Sequence, residues 1–379
     1  MTIIVPAHNE QMHLAACLDS LRKATFQGKK QIIVVDDGSK DSTFKIAKKY
    51  EELGIKIIQT PHIGKAAAIN TALAQAKGEV IAIVDADSTI EENAFIEILR
   101  ELGKKNAGAA CSVVKVANRG QFFPMWSHLE QLYNSLMRSI LSKINANITT
   151  PGPLSVYRAD ALKKIGGFST KGFSEDVDVT IRLIRAGYRI KFSDKAVAYT
   201  IIPPDIKGFF RQRFRFARGM LNIFKRHLQI NKTTIDLYTL PLLTFFYVQA
   251  IIMGSITLYN ILKGYFAYFV AHGVYFNWAV AKFFFEWFSI IGFFKWTYSV
   301  LITHTAPLTM LSIVAIVSTM LSYPLLLYSI IKYDRKIDLW HLIPFMFMFP
   351  FWLMIMVLYM ICLPELFVKN QYNRWKKNE

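Results

Sequence analysis

Three cysteines in 379 residues, Cys17, Cys111 and Cys362, are too few and too scattered for a disulfide framework or a zinc site. They imply a reduced compartment. Acidic residues are also scarce: 27 Asp and Glu stand against 45 Lys and Arg, a formal net charge of +18. Such a balance suits an anionic membrane surface or a nucleic acid. No recognition helix or nucleic-acid motif accompanies it, so nucleic acid is not expected as a partner. No signal peptide precedes the first strand-like segment, which places the N-terminal part on the cytosolic side. Charge is scarce in one more place. From residue 237 onward it thins out, and residues 237–262, 307–331 and 339–363 form uncharged runs of 26, 25 and 25 residues.

Each run exceeds the roughly 20 residues that cross a bilayer core as a helix. The segment 263–306, punctuated by Lys282, Glu286 and Lys295, reads as a fourth span, a re-entrant pair or an interfacial helix. Three or four membrane helices are therefore expected over 237–365. Lys207, Arg211, Arg213, Arg215, Arg218, Lys225 and Arg226 lie just before them. Such an excess marks the cytoplasmic flank of a membrane helix, where anionic headgroups attract it. The chain is expected to be integral to the cell membrane, with a catalytic domain (1–230) in the cytosol and a basic tail (366–379). Lys369, Arg374, Lys376 and Lys377 of the tail favour four spans, and the loop 332–336 argues the other way.

Before residue 230, apolar β-branched segments alternate with helical patterns. Residues 2–5, 31–35, 55–58 and 80–84 read as buried strands; 10–23, 42–52, 65–77 and 91–104 read as helices. This alternation predicts an α/β domain with a Rossmann-like, doubly wound and mostly parallel sheet. Ligands bind such sheets beyond the carboxyl ends of the strands. That edge is acidic: the first strand runs into His8-Asn9-Glu10, the second into Asp36-Asp37-Gly38-Ser39, the fourth into Asp85-Ala86-Asp87. Asp41 and Ser42 can also cap the next helix. Asp85 and Asp87, two residues apart, offer hard oxygen ligands for Mg²⁺ or Mn²⁺ bound together with substrate phosphates. Lys65 opens a helix after Gly64, where a cation and free N–H groups favour phosphate, although a solvated lysine is the simpler reading of that residue alone. Ser174-Glu175-Asp176 supplies a second acidic pair suited to a general base, and Ser174 equally suits a helix cap. Gln212-Arg213-Phe214-Arg215-Phe216 is basic and aromatic. It suits diphosphate and a sugar ring, or a basic interfacial stripe.

The ordered set VPAHNE, VVDDGS, GKAAAIN, DAD, GPLSVYR, GGF, SED and QRFRF resembles family 2 glycosyltransferases with the GT-A fold. The likeness is to the membrane-integrated kind that includes cellulose, chitin, hyaluronan and poly-N-acetylglucosamine synthases. The resemblance covers residues 1–230 by motif. It implies that His8 and Glu10 hold the uracil or ribose, that Asp37 and Asp36 bind the nucleoside, and that Lys65 touches the nucleotide. Asp85 and Asp87 then bind nucleotide and metal, and Asp176, supported by Glu175, is the base that deprotonates the acceptor. Gln212, Arg213, Arg215 and Phe216 match QxxRW, with the arginines on the diphosphate and Gln212 and Phe216 on the acceptor. The loop holding Gly152 also stands on the acceptor side. Phe216 replaces the usual tryptophan, and Pro151 and Pro153 depart from the commoner loop. The implied reaction moves sugar from a UDP-sugar to a saccharide or lipid-linked acceptor, giving a β-linkage, with polymer synthesis and export through the helices. A polyprenyl-phosphate glycosyltransferase and a non-catalytic transporter or scaffold are the alternatives.

Overall fold

The computed structural model describes residues 1–172, 174–229, 233–273, 276–334 and 337–367. Lys336 of the 332–336 loop and the basic tail residues Lys369, Arg374, Lys376 and Lys377 lie outside the described residues. In chain order the first part holds β1 (Thr2–Ala7), α1 (Leu14–Lys23), β2 (Gln31–Asp37), α2 (Thr43–Lys49), β3 (Lys56–Thr60), α3 (Lys65–Leu73) and β4 (Val80–Ile83). It continues with β5 (Ser88–Ile90), α4 (Ala94–Leu102), β6 (Ala107–Val116), α5 (Phe122–Lys143), β7 (Ser155–Arg158), α6 (Ala159–Lys164), α7 (Glu175–Arg185), β8 (Arg189–Thr200) and α8 (Ile206–His227).

The strands form one sheet in the order β3-β2-β1-β4-β7-β6-β8-β5. β1 to β4 are mutually parallel neighbours. The other half is mixed, because β7 runs against both β4 and β6, and β5 runs against β8. β6 and β8 are again parallel, so the α/β class holds and four of the seven neighbouring pairs are parallel, with β7 and β5 the strands that run against the rest. Helices pack on both faces. Leu14, Cys17, Leu18 and Leu21 make the spaced apolar stripe that seats α1 on Ile3, Val5 and Val34. Ala66, Ile69 and Ala72 of α3 and Val177, Ile181 and Ile184 of α7 cover the opposite face against Ile4, Ile33 and Ile83. α1 begins four residues later than expected. Asn9 sits in the left-handed region (φ 55°), and residues 10–13 make a turn in which the Glu10 carbonyl accepts from His13 and Leu14.

A π-helical turn, Ile235–Thr239, leads into α9 (Leu240–His272), followed by α10 (Trp278–Phe288), α11 (Ile290–Leu301), α12 (Met310–Tyr333), α13 (Leu339–Met346) and α14 (Met348–Cys362). The stretches Ile235–His272 and Met310–Tyr333 are long and apolar enough to cross a membrane. The third apolar run is broken: α13 and α14 meet at 60°. Pro350 explains the break, since it has no N–H to donate and its ring would meet the carbonyl four residues back. The 263–306 segment supplies the end of α9 and two short helices of 11 and 12 residues, too short for a continuous fourth span. The expected boundary near residue 236 is also not clean, because Ile235 and Leu240 are fully buried in the core under α7.

α12 returns to the α/β domain and ends on it. Asp334, at its C-terminus, accepts from Lys115 Nζ (2.9 Å), Arg119 Nη1 (3.2 Å), His128 Nε2 (2.6 Å) and His341 Nε2 (2.8 Å). The backbone N–H of Val116 donates to His128 Nδ1, so its Nε2 carries the proton toward Asp334, while His341 Nδ1 lies 2.8 Å from Asp338 Oδ1. Burial pushes the Asp334 carboxyl up, but the hydrogen bonds and charges around it win and hold it far below its ordinary value. A depressed carboxylate stabilises the fold above its unfolded pKa of roughly 4, and that contribution is lost as pH falls below it. Asp334→Asn removes the negative charge that faces half-buried Lys115 and Arg119 and is expected to cost about 1–3 kcal/mol. Thermal unfolding from pH 7 to pH 3 checks both points: the variant should start lower and show a flatter acid dependence.

Candidate functional site

Asp37 is fully buried and its carboxylate is filled by the chain itself. Oδ1 accepts from the Thr60 hydroxyl (2.8 Å) and the Ile63 N–H (2.7 Å), and Oδ2 accepts from the Gly64 N–H (2.8 Å). The Asp37 carbonyl meets His8 Nδ1 at 2.7 Å and His62 Nδ1 at 3.1 Å, and the two rings stack at 4.2 Å. Gly38 allows this closeness: its φ is +67°, and a Cβ there would lie 2.7 Å from the His62 nitrogen. Asp37 thus shapes the loop that presents α3, in place of the open nucleoside ligand expected of it. Its neighbour Asp36 is equally buried. Gln59 reaches Asp36 Oδ2 only at 3.5 Å, and Oδ1 has no hydrogen-bond partner among the described residues.

Lys65, the first residue of α3, joins two of the expected acidic clusters. Its Nζ lies 2.7 Å from Asp85 Oδ1 and 2.9 Å from Glu175 Oε1. Burial alone would lower the Lys65 pKa, but the two carboxylates raise it above the usual lysine value. Glu175 moves the other way. Burial would raise it, and Lys65 with the positive charge of Arg215 brings it below its ordinary value. Asp87 accepts from the Ser88 hydroxyl at 3.1 Å. The buried Cys17 thiol, 3.5 Å from the Asp85 carbonyl, is held well above its usual pKa by burial and by the charges of Asp87, Asp85 and Glu10.

Asp176 follows Glu175 at the start of α7. Burial and then the charge of Glu175 raise its pKa to about 7, against the pull of Lys65. Ser174 precedes the helix without the expected side-chain cap; the Asp176 carboxylate itself accepts from the Val177 N–H at 2.9 Å. A hydroxyl chain pins the Asp176 backbone: Thr180 Oγ1 donates to its carbonyl (2.6 Å), and Thr150 bridges Thr180 (2.8 Å) and Tyr157 (2.7 Å). Lys65, Thr150, Gly152, Tyr157, Glu175 and Asp176 line one narrow cavity. Thr150, Tyr157 and Thr180 were not singled out in the sequence, where uncharged hydroxyls carry no pattern of their own.

Gly152, expected beside the acceptor, lines the same cavity as Asp176 and also lies against Asp85: a Cβ on it would stand 2.1 Å from Asp85 Oδ2, and its carbonyl accepts from the Asp85 N–H at 3.0 Å. One expectation needs correction. Arg213, expected on the diphosphate, is buried in a seam. Its Nη1 lies 2.6 Å from Glu130, its Nη2 donates to Ser127 (2.7 Å), and its guanidinium stands 5.1 Å from the rings of Phe209 and Phe351. Helical spacing explains the split. Gln212, Arg215 and Phe216 share one face of α8 at i, i+3 and i+4, and Arg213 points elsewhere. Phe216 is half-exposed beside Arg215, and Gln212 Oε1 is buried without a hydrogen-bond partner among the described residues.

His128, Asp334 and His341 offer ligand atoms within 4.8 Å of one another, a group that could hold a metal ion. Both Nδ1 atoms there are already engaged, by the Val116 N–H and by Asp338, which favours an ion-pair joint over metal ligation.

Residues 2–166 match Glycosyl transferase family 2. The chain is 30% identical to a probable glycosyltransferase of Bacillus subtilis over 58% of this chain and 54% of that one. It is 27% identical to the poly-beta-1,6-N-acetyl-D-glucosamine synthase of Staphylococcus epidermidis, over 63% and 60%. It is 28% identical to an N-acetylglucosaminyltransferase of Rhizobium sp. strain N33, over 57% and 52%. The chain thus spans little more than half the length of these relatives. Among solved structures, a mannosyltransferase from Pyrobaculum calidifontis, in complex with GDP-Man and Mn²⁺, superposes with a TM-score of 0.54 at 24% identity, covering 63% of this chain and 67% of that one. That likeness is one of fold, GT-A.

The Gly152–Asp85 contact is directly testable. Gly152→Ala should cost about 1–3 kcal/mol through overlap. Adding Asp85→Ala should recover most of that loss in thermal unfolding; no recovery would mean that the two residues do not touch.

Proposed function

We propose, from the match of residues 2–166 to Glycosyl transferase family 2, that the chain transfers a sugar from a UDP-sugar to a saccharide hydroxyl with inversion. The observation that carries the reading is the cation–acid–base set around one cavity: Lys65 bridging Asp85 and Glu175, with Asp176 beside them. In this reading the acceptor oxygen attacks the anomeric carbon as the bond to the diphosphate breaks, and UDP departs. The acceptor proton passes to the Asp176 carboxylate. Lys65 and Arg215 bring positive charge to the diphosphate, and Phe216 stacks on the acceptor sugar. His8, Glu10 and Asp36 face the nucleoside, while Asp37 holds the loop before α3. Two carboxylates two residues apart are a donor set suited to a hard divalent ion, so Asp85 and Asp87 would hold Mg²⁺ or Mn²⁺. When bound, that ion neutralises the leaving diphosphate.

Asp176 favours a hydroxyl acceptor over a polyprenyl phosphate, because a phosphate arrives ionised and needs no base. The relatives named for N-acetylglucosamine support a hexosamine donor and a polymeric product. In this reading α9 and α12, long and apolar enough to cross a bilayer, anchor the chain as an integral protein, and the basic α8 keeps the α/β domain on the cytosolic face. Protease should then reach residues 1–229 in inverted vesicles; protection there would reverse the orientation.

UDP release from a panel of UDP- and GDP-sugars is the direct test. Activity is expected with a UDP-hexosamine, lost in EDTA and restored by Mn²⁺ or Mg²⁺. Full turnover in excess chelator would sink the assignment of Asp85 and Asp87. The base adds a pH prediction. A carboxylate whose pKa is raised to about 7 accepts a proton only above that value, so kcat/KM should fall as pH drops below it. Asp176→Asn should lower turnover by about 10²- to 10⁴-fold with UDP affinity unchanged.

A further inference from the structure

Asp178 lies one helical turn from Glu175 on α7 and is only 1% exposed. It meets three basic side chains. Arg182 Nε donates to its Oδ2 (2.7 Å), and Arg226 Nη2 (2.8 Å) and His227 Nε2 (2.9 Å) meet its Oδ1. Arg182 continues to the carbonyls of Ile165 and Gly167, both at 2.7 Å. Arg226 continues to the Ser169 hydroxyl and the Lys171 carbonyl. The loop 165–171 is therefore held from the α7 and α8 side. It is also held from α3, the helix that begins with Lys65: Asn70 donates to the Phe168 carbonyl (2.7 Å) and accepts from its N–H (2.9 Å). One turn further along α7, Arg185 donates to Asp236 Oδ1 (2.6 Å) and to the His227 carbonyl (2.8 Å). Asp236 belongs to the π-helical turn that opens α9, where the Thr233 hydroxyl also donates to it.

Asp178, Arg182 and Arg185 lie along one stripe of α7 with Glu175, at i, i+3, i+7 and i+10. Attachment does not require them, since Val177, Val179, Ile181, Leu183 and Ile184 already bury the helix in the core. Apolar packing holds a helix against a surface, whereas paired charges fix its rotation and axial position. The polar stripe thus sets where the first turn of α7 stands relative to Lys65.

We propose that Asp178 and the Arg185–Asp236 pair are positioning residues: they fix the base-bearing end of α7 against the turn that opens α9, so that transfer depends on this joint and donor binding does not. The inference rests on Asp176 being the base. None of the three touches the cavity lining, and each acts through the helix or loop that it holds.

The test uses the full chain in detergent, with Asp178→Asn, Asp236→Asn and the charge-retaining Asp236→Glu. Saturated turnover, UDP affinity and melting temperature are read for each. Turnover is expected to fall at least tenfold in both Asn variants, with UDP affinity within twofold of the parent, and to recover in large part in Asp236→Glu. Unchanged turnover would overturn the proposal. So would a loss of turnover and UDP affinity in step with a lowered melting temperature, which marks a purely structural role. If Asp178→Asn does not fold, Asp236→Asn decides by the same split. An inactive parent chain would instead indict the proposed function, whereas the ratio of variant to parent bears on the joint alone.

Discussion

The contact on which the site depends is the double ion pair of Lys65 with Asp85 and Glu175, at 2.7 and 2.9 Å. Glu175 and Asp176 line one narrow cavity and Asp85 meets Glu175 across Lys65, and like charges at such range do not coexist without a cation. Lys65 is that cation in the chain alone. Its place follows from Asp37, which spends its carboxylate on the loop before α3 and so fixes where that helix starts. The unequal carboxylates then follow: Glu175 lies beside Lys65 and stays charged, while Asp176, next to Glu175 and buried, is pushed toward neutral pH. A base and its charged partner are separated by environment although they are adjacent in sequence.

That separation also suits a donor that brings its own negative charge. In the proposed reaction the donor's diphosphate would compete with Asp85 and Glu175 for Lys65, and Glu175, losing part of its compensation, would make Asp176 a stronger base.

What the sequence could announce depended on whether a residue's role came from its position in a regular element or from a meeting across the fold. β1 to β4 are short and rich in Ile and Val, and all but the edge strand β3 are almost wholly buried, so the parallel half of the sheet and its acidic edge were readable. β6 is alanine-rich, β7 is four residues long, and β5 is three, and none carries a period that separates strand from loop. The motif order brought Lys65, Asp85, Glu175 and Asp176 to the right edge. It could not show that Asp37 faces inward, that Gly152 exists to clear Asp85, or that Arg213 and Arg215 diverge. The last point was within reach, because residues two apart on a helix lie about 200° apart. Span counting has a similar limit: hydropathy counts apolar length, whereas the bend near Pro350 decides whether 339–363 adds a third span to the two long helices among the described residues.

The boundary between the α/β domain and the apolar helices is not a boundary in packing. Ile235 and Leu240 complete the core under α7, Asp334 closes a charged joint on α5 and β6, and Phe351 of α14 faces Arg213 of α8. α14 lies along α8, with Phe351 near Phe209 at one end and Cys362 near Ala217 and Leu221 at the other. Apolar helices joined by a flexible linker would hold the domain near a bilayer without orienting it. Helices that enter its core and pair its buried charges fix both its distance and its tilt. The apolar helices are thus part of the domain's own core and charge pairing, and a substitution that loosens Asp334 or Asp236 would loosen the packing of the α/β domain against them.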